Sequence, residues 1–344
     1  MAESKFYHFS TTGTFLVLNT MEEVISQLKE EGFVWLDFYQ PTKELLSSLI
    51  GSFGLHPLSV EDCLDDMQVP KIEYFPGNTF IIFNTFSYEE KTLAIDEVNL
   101  FLGKNFLITV SGHNSGTRKP LGDVLGLIDN GNTNAKTGPD FLMHIVLDYL
   151  VDNKYKAFDD MEEELELAEE SLLDNVEKFQ AMQLLRMRKN LMLLRKSLFH
   201  EREILVKICR QDCPFISEKA IVHYRDIYDH LAKFFELTET YREIETSLME
   251  LYTSLLNNLM TKMSNDTNLS VRRLTLITTI FMPLTLIASI GGMSEWSMMT
   301  GPSNWKTAYP FFLLGLVVIG VINYYLLKRT EKKESSRTVK KIND

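Results

Sequence analysis

Two apolar runs near the C-terminal end stand out from the rest of the chain. Leu274 to Met293 and Ala308 to Leu327 each hold 20 residues without a charge. At 1.5 Å rise per residue, about 20 apolar residues cross a bilayer as a helix. Upstream the pattern changes twice. Short apolar, β-branched and aromatic runs predict strands at Thr14–Leu18, Phe33–Phe38, Thr79–Phe86, Val98–Leu102 and Phe106–Val110. Between them, helical spacing predicts helices over 20–31, 42–50, 57–66 and 119–129, with Thr42 as an N-cap type. From Phe141 to Cys213 there are 73 residues with neither Gly nor Pro, and after Pro214 another 68, Phe215 to Met282. These stretches predict long helices turning at Pro214, the second running without a breaker into the first apolar run.

These patterns divide the chain into an α+β domain (1–138), a long-helix stalk (139–270), a first transmembrane helix (271–293), an outward loop (294–307), a second transmembrane helix (308–327) and a basic tail (328–344). Charge agrees with that division. Residues 1–270 carry 25 Lys/Arg and 43 Asp/Glu, whereas 271–344 carry 10 and 4. Arg272 and Arg273 precede the first span, and Lys328, Arg329 and five further basic residues follow the second. The positive-inside rule then puts both termini in the cytoplasm and the chain in the cell membrane as a multi-pass protein. A net charge of −12 argues against nucleic acid as a partner. Three cysteines, Cys63, Cys209 and Cys213, exclude a disulfide scaffold.

On a helical projection of the first span, Val271, Leu274, Thr278, Met282, Thr285 and Ser289 share one line, with Asn268 continuing it. Around a symmetry axis such a stripe makes wet rings and dry constrictions. In isolation it is equally a helix-packing seam of small polar residues. Eight acids fall in the twelve residues from Asp159 to Glu170, either a solvated face or a concentrator for cations. Cys209 and Cys213 at i, i+4, His223 and His230, and the loop Ser111–Lys119 have ordinary structural explanations. No nucleophile elbow, dinucleotide fingerprint or kinase signature is present, so the chain does not read as an enzyme.

The segment Thr275–Ser294, and above all Ile280-Phe-Met-Pro-Leu-Thr285, closely resembles the first transmembrane helix of the CorA family of magnesium transporters. His56-Pro-Leu-Ser-Val-Glu-Asp-Cys-Leu64 with Pro70–Tyr74, and Tyr224-Arg-Asp-Ile-Tyr-Asp-His230, match the same family in the same order. The resemblance implies a funnel-shaped homopentamer in the lipid bilayer, with an α+β domain leading through a long stalk helix to the pore helix. It implies passage of hydrated Mg2+, and of Co2+ or Ni2+, through that pore. It also implies regulatory Mg2+ between neighbouring cytoplasmic domains, carried over to Asp62 and Asp226, with Glu61 and Asp148 at secondary positions.

The chain departs from the family where the pore opens. The family pattern of an aromatic followed by Gly-Met-Asn is here Gly291-Gly292-Met293-Ser294. Five serine hydroxyls leave a wider and weaker ring for a hydrated ion than five amides. The stalk also looks about one heptad longer than the family pattern, within Leu255–Asn268, which keeps the stripe's facing. Three functions follow from these observations: a divalent-cation channel, a pore of the same fold with altered selectivity, direction or ligand gating, and a membrane sensor that no longer conducts.

Overall fold

A computed structural model describes residues 3–10, 15–65, 68–112, 121–122, 124–129, 137–292, 301 and 304–342. The chain divides into two compact units, Met1–Thr253 and Ser254–Asp344.

The first unit is built on a seven-stranded sheet of order β2-β1-β3-β7-β6-β5-β4. Its strands are β1 Glu3–Phe9, β2 Phe15–Leu18, β3 Phe33–Tyr39, β4 Lys71–Tyr74, β5 Asn78–Glu89, β6 Thr92–Gly103 and β7 Phe106–Ser111. Only β3 and β7 pair in parallel. The β5–β6 hairpin closes through Glu90 and Lys91, both at positive φ (49° and 63°), the backbone a two-residue turn demands. Side chains alternate across the sheet. On one face, Val34, Leu36, Phe38, Phe80, Ile82, Phe101, Ile108 and Val110 form a core with Val24, Leu46, Leu49, Phe53 and Val60. Those last five residues come from α1 (Met21–Gln27), α2 (Lys43–Phe53) and α3 (Pro57–Asp62). The other face carries α5 (Pro139–Asp174) and α6 (Met182–Cys209), with α4 (Val124–Asp129) beside α5.

Five strands fall where the alternation predicts them, Thr14 lying outside the described residues; β1 and β4 are additional. The lysine in β1 and the four-residue length of β4 hide both from a pattern search. Thr42 does cap α2, its hydroxyl accepting from the Leu45 N–H at 3.4 Å. The helices expected over 20–31 and 57–66 are shorter, ending at Gln27 and Asp62, while α2 extends to Phe53. Residues 119, 120 and 123 of the expected 119–129 helix, and 66 of the third, lie outside the described residues.

The stretch Phe141–Cys213 is two helices rather than one. Asn175 breaks it without Gly or Pro: its backbone is extended, and its Oδ1 accepts from the N–H groups of Glu177 and Lys178. An Asx turn of this kind offers the backbone an alternative to helix. After the turn at Pro214, α7 (Glu218–Gly291) runs unbroken, as the missing breakers predict. Its buried positions in the first unit follow a seven-residue repeat: Tyr224, Leu231, Thr238 and Glu245 on one line, Ile227, Phe234, Tyr241 and Leu248 on the other.

The second unit holds the remainder of α7 and α8 (Trp305–Ile342). Both have windows long and apolar enough to cross a membrane, and neither window is buried within the chain. The two helices lie against each other. A Cβ at Gly291 would meet the ring of Phe312 at 2.5 Å, and one at Gly320 would meet Leu284 at 3.5 Å. As positions rise along α7 they fall along α8, the signature of an antiparallel hairpin.

Candidate functional site: acids in the α5–α7 seam and a polar stripe on α7

Helices α5 and α7 run side by side and parallel. Asp140 joins their starts: its Oδ2 accepts from the Ser217 N–H at 3.0 Å and the Ser217 hydroxyl at 2.6 Å, and its carbonyl accepts from the Tyr224 hydroxyl at 2.7 Å. Further along, the ring of His144 lies 5.1 Å from that of His223, and Phe158 stacks on Phe234 at 4.7 Å. Between these two contacts the seam carries a polar cluster. Asp148, Asp152 and His230 bring one ligand atom each within 4.8 Å of one another.

The electrostatics there are those of crowded acids. Burial first, then the charge of Asp152, pushes the Asp148 carboxyl above the usual carboxylate range; Asp226 adds to this, while His230 and His223 oppose it. One turn earlier, burial and then His223 hold the His144 imidazole down at about 4, against the pull of Asp226. A half-buried carboxyl beside other acids, as Asp148 is, ionises at a cost that a bound divalent cation removes. Two carboxylates and an imidazole are a donor set that fits such an ion.

The four acids singled out in the sequence fall in two places. Asp148 and Asp226 are electrostatic neighbours in the seam. Asp62, at the end of α3, is bonded to Lys71 Nζ at 2.7 Å, and Lys71 also reaches Glu73 at 2.9 Å. Glu61 beside it is exposed. Asp152 and His230 complete the cluster and were not singled out as ligands. Their signal is present as Asp148–Asp152 at i, i+4 and as His223, Asp226 and His230 on one helix. Only the pairing of α5 with α7 makes the two patterns one cluster. Cys209 and Cys213 join no such group among the described residues; Cys213 lies 3.3 Å from the Thr79 hydroxyl. Of the acidic run, Glu164 is buried and accepts from Arg186 and the Tyr88 hydroxyl, and Glu162 accepts from the Tyr241 hydroxyl. Most of the others face solvent.

In the second unit, Asn268, Val271, Leu274, Thr278, Met282, Thr285 and Ser289 all lie on α7. Thr278 Oγ1 donates to the Leu274 carbonyl and Thr285 Oγ1 to the Phe281 carbonyl, each at 2.9 Å. The hydroxyl protons are thus spent on the helix, and lone pairs are what these side chains have left to offer. Pro283 has no N–H, so the Thr279 carbonyl lacks its helical donor. Gly292 ends the helix, its N–H donating to the Ala288 carbonyl at 3.0 Å. Met293 and Ser294, expected at the pore mouth, lie outside the described residues, as do residues 113–119 of the Ser111–Lys119 loop.

The chain thus joins an α/β body to a pair of helices, one of them 74 residues long, each long and apolar enough to cross a membrane. Residues 30–329 match the family model for the CorA-like Mg2+ transporter protein. The chain belongs to this family, a family of divalent-cation transporters embedded in membranes rather than of enzymes. It is 33% identical over 284 residues to the cobalt/magnesium transport protein CorA of Thermotoga maritima, covering 80% of this chain and 76% of that one. It is 27% identical over 299 residues to the protein of the same name from Methanocaldococcus jannaschii, covering 86% and 90%. The complete structure of the CorA magnesium transporter from M. jannaschii superposes with a TM-score of 0.70 at 24% identity, covering 95% of this chain and 97% of that one, which shows the same fold.

Proposed function

We propose that this protein is a homopentameric channel that passes hydrated Mg2+ and Co2+ into the cell, driven by the membrane potential, with both termini cytoplasmic. The observation that carries the reading is the stripe on α7. Thr278 and Thr285 each spend their hydroxyl proton on a backbone carbonyl. Repeated in a ring, they offer only acceptors to the water protons of a hydrated cation. Met282 lies between them and supplies the dry constriction. One hairpin cannot enclose a water path, so the pore requires several copies. The cobalt and magnesium in the names of the T. maritima and M. jannaschii relatives support the choice of ions.

Divalent cations that bind at Asp148, Asp152, His230 and the neighbouring Asp226, and at Asp62 with Glu61, hold the pore shut. Asp62 must leave Lys71 to take part. An imidazole among the ligands favours Co2+ and Ni2+ over Mg2+ at the seam.

The test is flux into liposomes holding the purified protein, comparing Mg2+, Co2+, Ni2+, Zn2+ and Na+, for the wild type and for Asp226→Ala. The proposal expects divalent flux without Na+ flux, and a mutant that conducts at Mg2+ levels that close the wild type. Absence of divalent flux in a correctly assembled preparation overturns the channel. Identical Mg2+ inhibition of the two proteins overturns the gating site.

A further inference from the structure

On the opposite side of the charge balance, α6 is a basic helix in an acidic chain. It carries seven Lys/Arg against two Glu, in a protein with a net charge of −12. Four of these cations have structural partners or lie elsewhere; the remainder converge with α7 on one groove. Arg188, Arg195, Lys196 and His200 from α6 line it with Arg242 and Glu245 from α7, around a volume of about 470 Å³.

Three features separate this groove from a merely basic surface. First, much of its positive charge is uncompensated. Arg188 and Lys196 make no ion pair among the described residues, Glu239 is shared between Arg195 (2.5 Å) and Arg242 (2.8 Å), and Glu245 feels the charges of Arg188 and Arg242, so four cations face two acids. Second, Glu245 lines the groove while only 2% exposed, and its Oε1 has no hydrogen-bond partner among the described residues. A buried acceptor left unbonded is destabilising, so a ligand that supplies a donor gains there. Third, Met192 and Phe199 are 59% and 51% exposed beside the cations, an apolar surface next to a charged one.

The ligand that satisfies all three has anionic oxygens for the guanidiniums, a proton to donate to Glu245, and an apolar or aromatic body. Sulfate lacks the proton. A carboxylate lacks the tetrahedral oxygens that several guanidinium forks can share. A phosphomonoester, whose second pKa of about 6 keeps a singly protonated form accessible near neutral pH, has both. We propose that the groove between α6 and α7 is a binding site for a small soluble phosphomonoester of the nucleoside monophosphate kind, held by Arg188, Arg195, Lys196 and Arg242, with Glu245 accepting its remaining phosphate proton. The groove is distinct from the acid seam and the pore stripe, and the proposal stands independently of the transport reading.

The experiment is equilibrium binding to the full-length protein in detergent, in EDTA so that cation sites are empty, with AMP, inorganic phosphate and sulfate as probes. AMP is expected to bind saturably, at least about tenfold more tightly than sulfate, and Arg188→Gln with Arg195→Gln is expected to weaken it by about tenfold or more, the scale of one lost charge-assisted bond. Glu245→Gln, whose amide donates as well as accepts, is expected to erase the preference for AMP and phosphate over sulfate. Arg195→Lys, which keeps the charge and loses the fork, is the control for folding and is expected to weaken AMP only in part. Absence of saturable AMP binding, or equal affinity for AMP and sulfate in the wild type, overturns the proposal. Loss of subunit assembly in the arginine variants also overturns it and makes the groove a contact between copies of the chain.

Discussion

At the scale of single residues, the body of this protein keeps one full ion pair out of water. Lys154 and Glu201 are both completely buried, with Nζ and Oε1 3.2 Å apart. Nζ also donates to the Asn84 carbonyl and sits 3.8 Å from the centre of the Phe86 ring. Burial drives the lysine down and the glutamate up, and each opposes the other's shift. Ser197 adds a hydroxyl to Glu201 at 3.2 Å. The pair ties α5, α6 and β5 at one point, so removing one partner strands the other. Lys154→Met is expected to destabilise the body by about 3–5 kcal/mol, the usual cost of an orphaned buried charge. The double change Lys154→Met with Glu201→Leu is expected to recover most of that loss. Thermal melting of the three proteins checks this, and a double mutant as unstable as the single one sinks the account.

At the scale of elements, close helix contact in the hairpin depends on what Gly291 lacks. The Phe312 ring occupies the space where a side chain at 291 would begin, with its Cζ 2.5 Å from the position of a Cβ. The family resemblance places an aromatic at this end of the pore helix; here the aromatic contact comes from α8 instead. Gly291→Tyr is therefore expected to overpack the hairpin by about 1–3 kcal/mol. Gly291→Tyr combined with Phe312→Ala is expected to melt at or near the wild-type temperature, because one ring replaces the other. Strictly additive losses in the pair would show that the two positions do not share the space. The same scale explains why α5 and α6 are separate helices. Asn175 turns the chain with a side-chain acceptor, and Phe179 after the turn packs on Tyr252 at 5.5 Å, bringing the start of α6 back to α7.

At the scale of the whole molecule, α7 has two different surroundings along its 74 residues, about 110 Å at 1.5 Å each. Up to Leu248 its seven-residue repeat is buried on the body. Beyond it, Met260, Met263, Leu269, Val271, Leu274 and Met282 are all more than half exposed in the single chain. Large apolar side chains repeated along one helix call for lipid or further copies of the chain. The proposed pore separates these two partners by face. With the native cysteines replaced, Thr278→Cys is expected to react with a water-soluble thiol reagent and lose flux on modification. Ile280→Cys, on the opposite side of the helix by periodicity, is expected to stay unreactive and keep its flux. Equal reactivity at both positions would refute the stripe as the pore lining.

Residue order alone marks the main elements of this chain. Two charge-free runs with basic flanks mark the hairpin, since no bilayer-length apolar helix of this kind can stay in water unpartnered. The strand periodicity over residues 33–38, 79–86, 98–102 and 106–110 marks the sheet. The missing breakers between Phe215 and Met282 mark α7, because nothing there interrupts the helical bond ladder. The motifs around Ile280–Thr285, His56–Leu64 and Tyr224–His230 mark the family. Tertiary structure decided whatever depends on which faces meet. The strand β1 is legible only once β2 and β3 flank it, and the break at Asn175 only once its side chain turns back on the backbone. Asp148, Asp152 and His230 are two unremarkable helix patterns until α5 and α7 lie parallel and close them to 4.8 Å. The basic groove over Glu245 likewise needs α6 and α7 side by side. Periodicity is a property of one segment, whereas a site is a coincidence of several, and packing is what brings them into register.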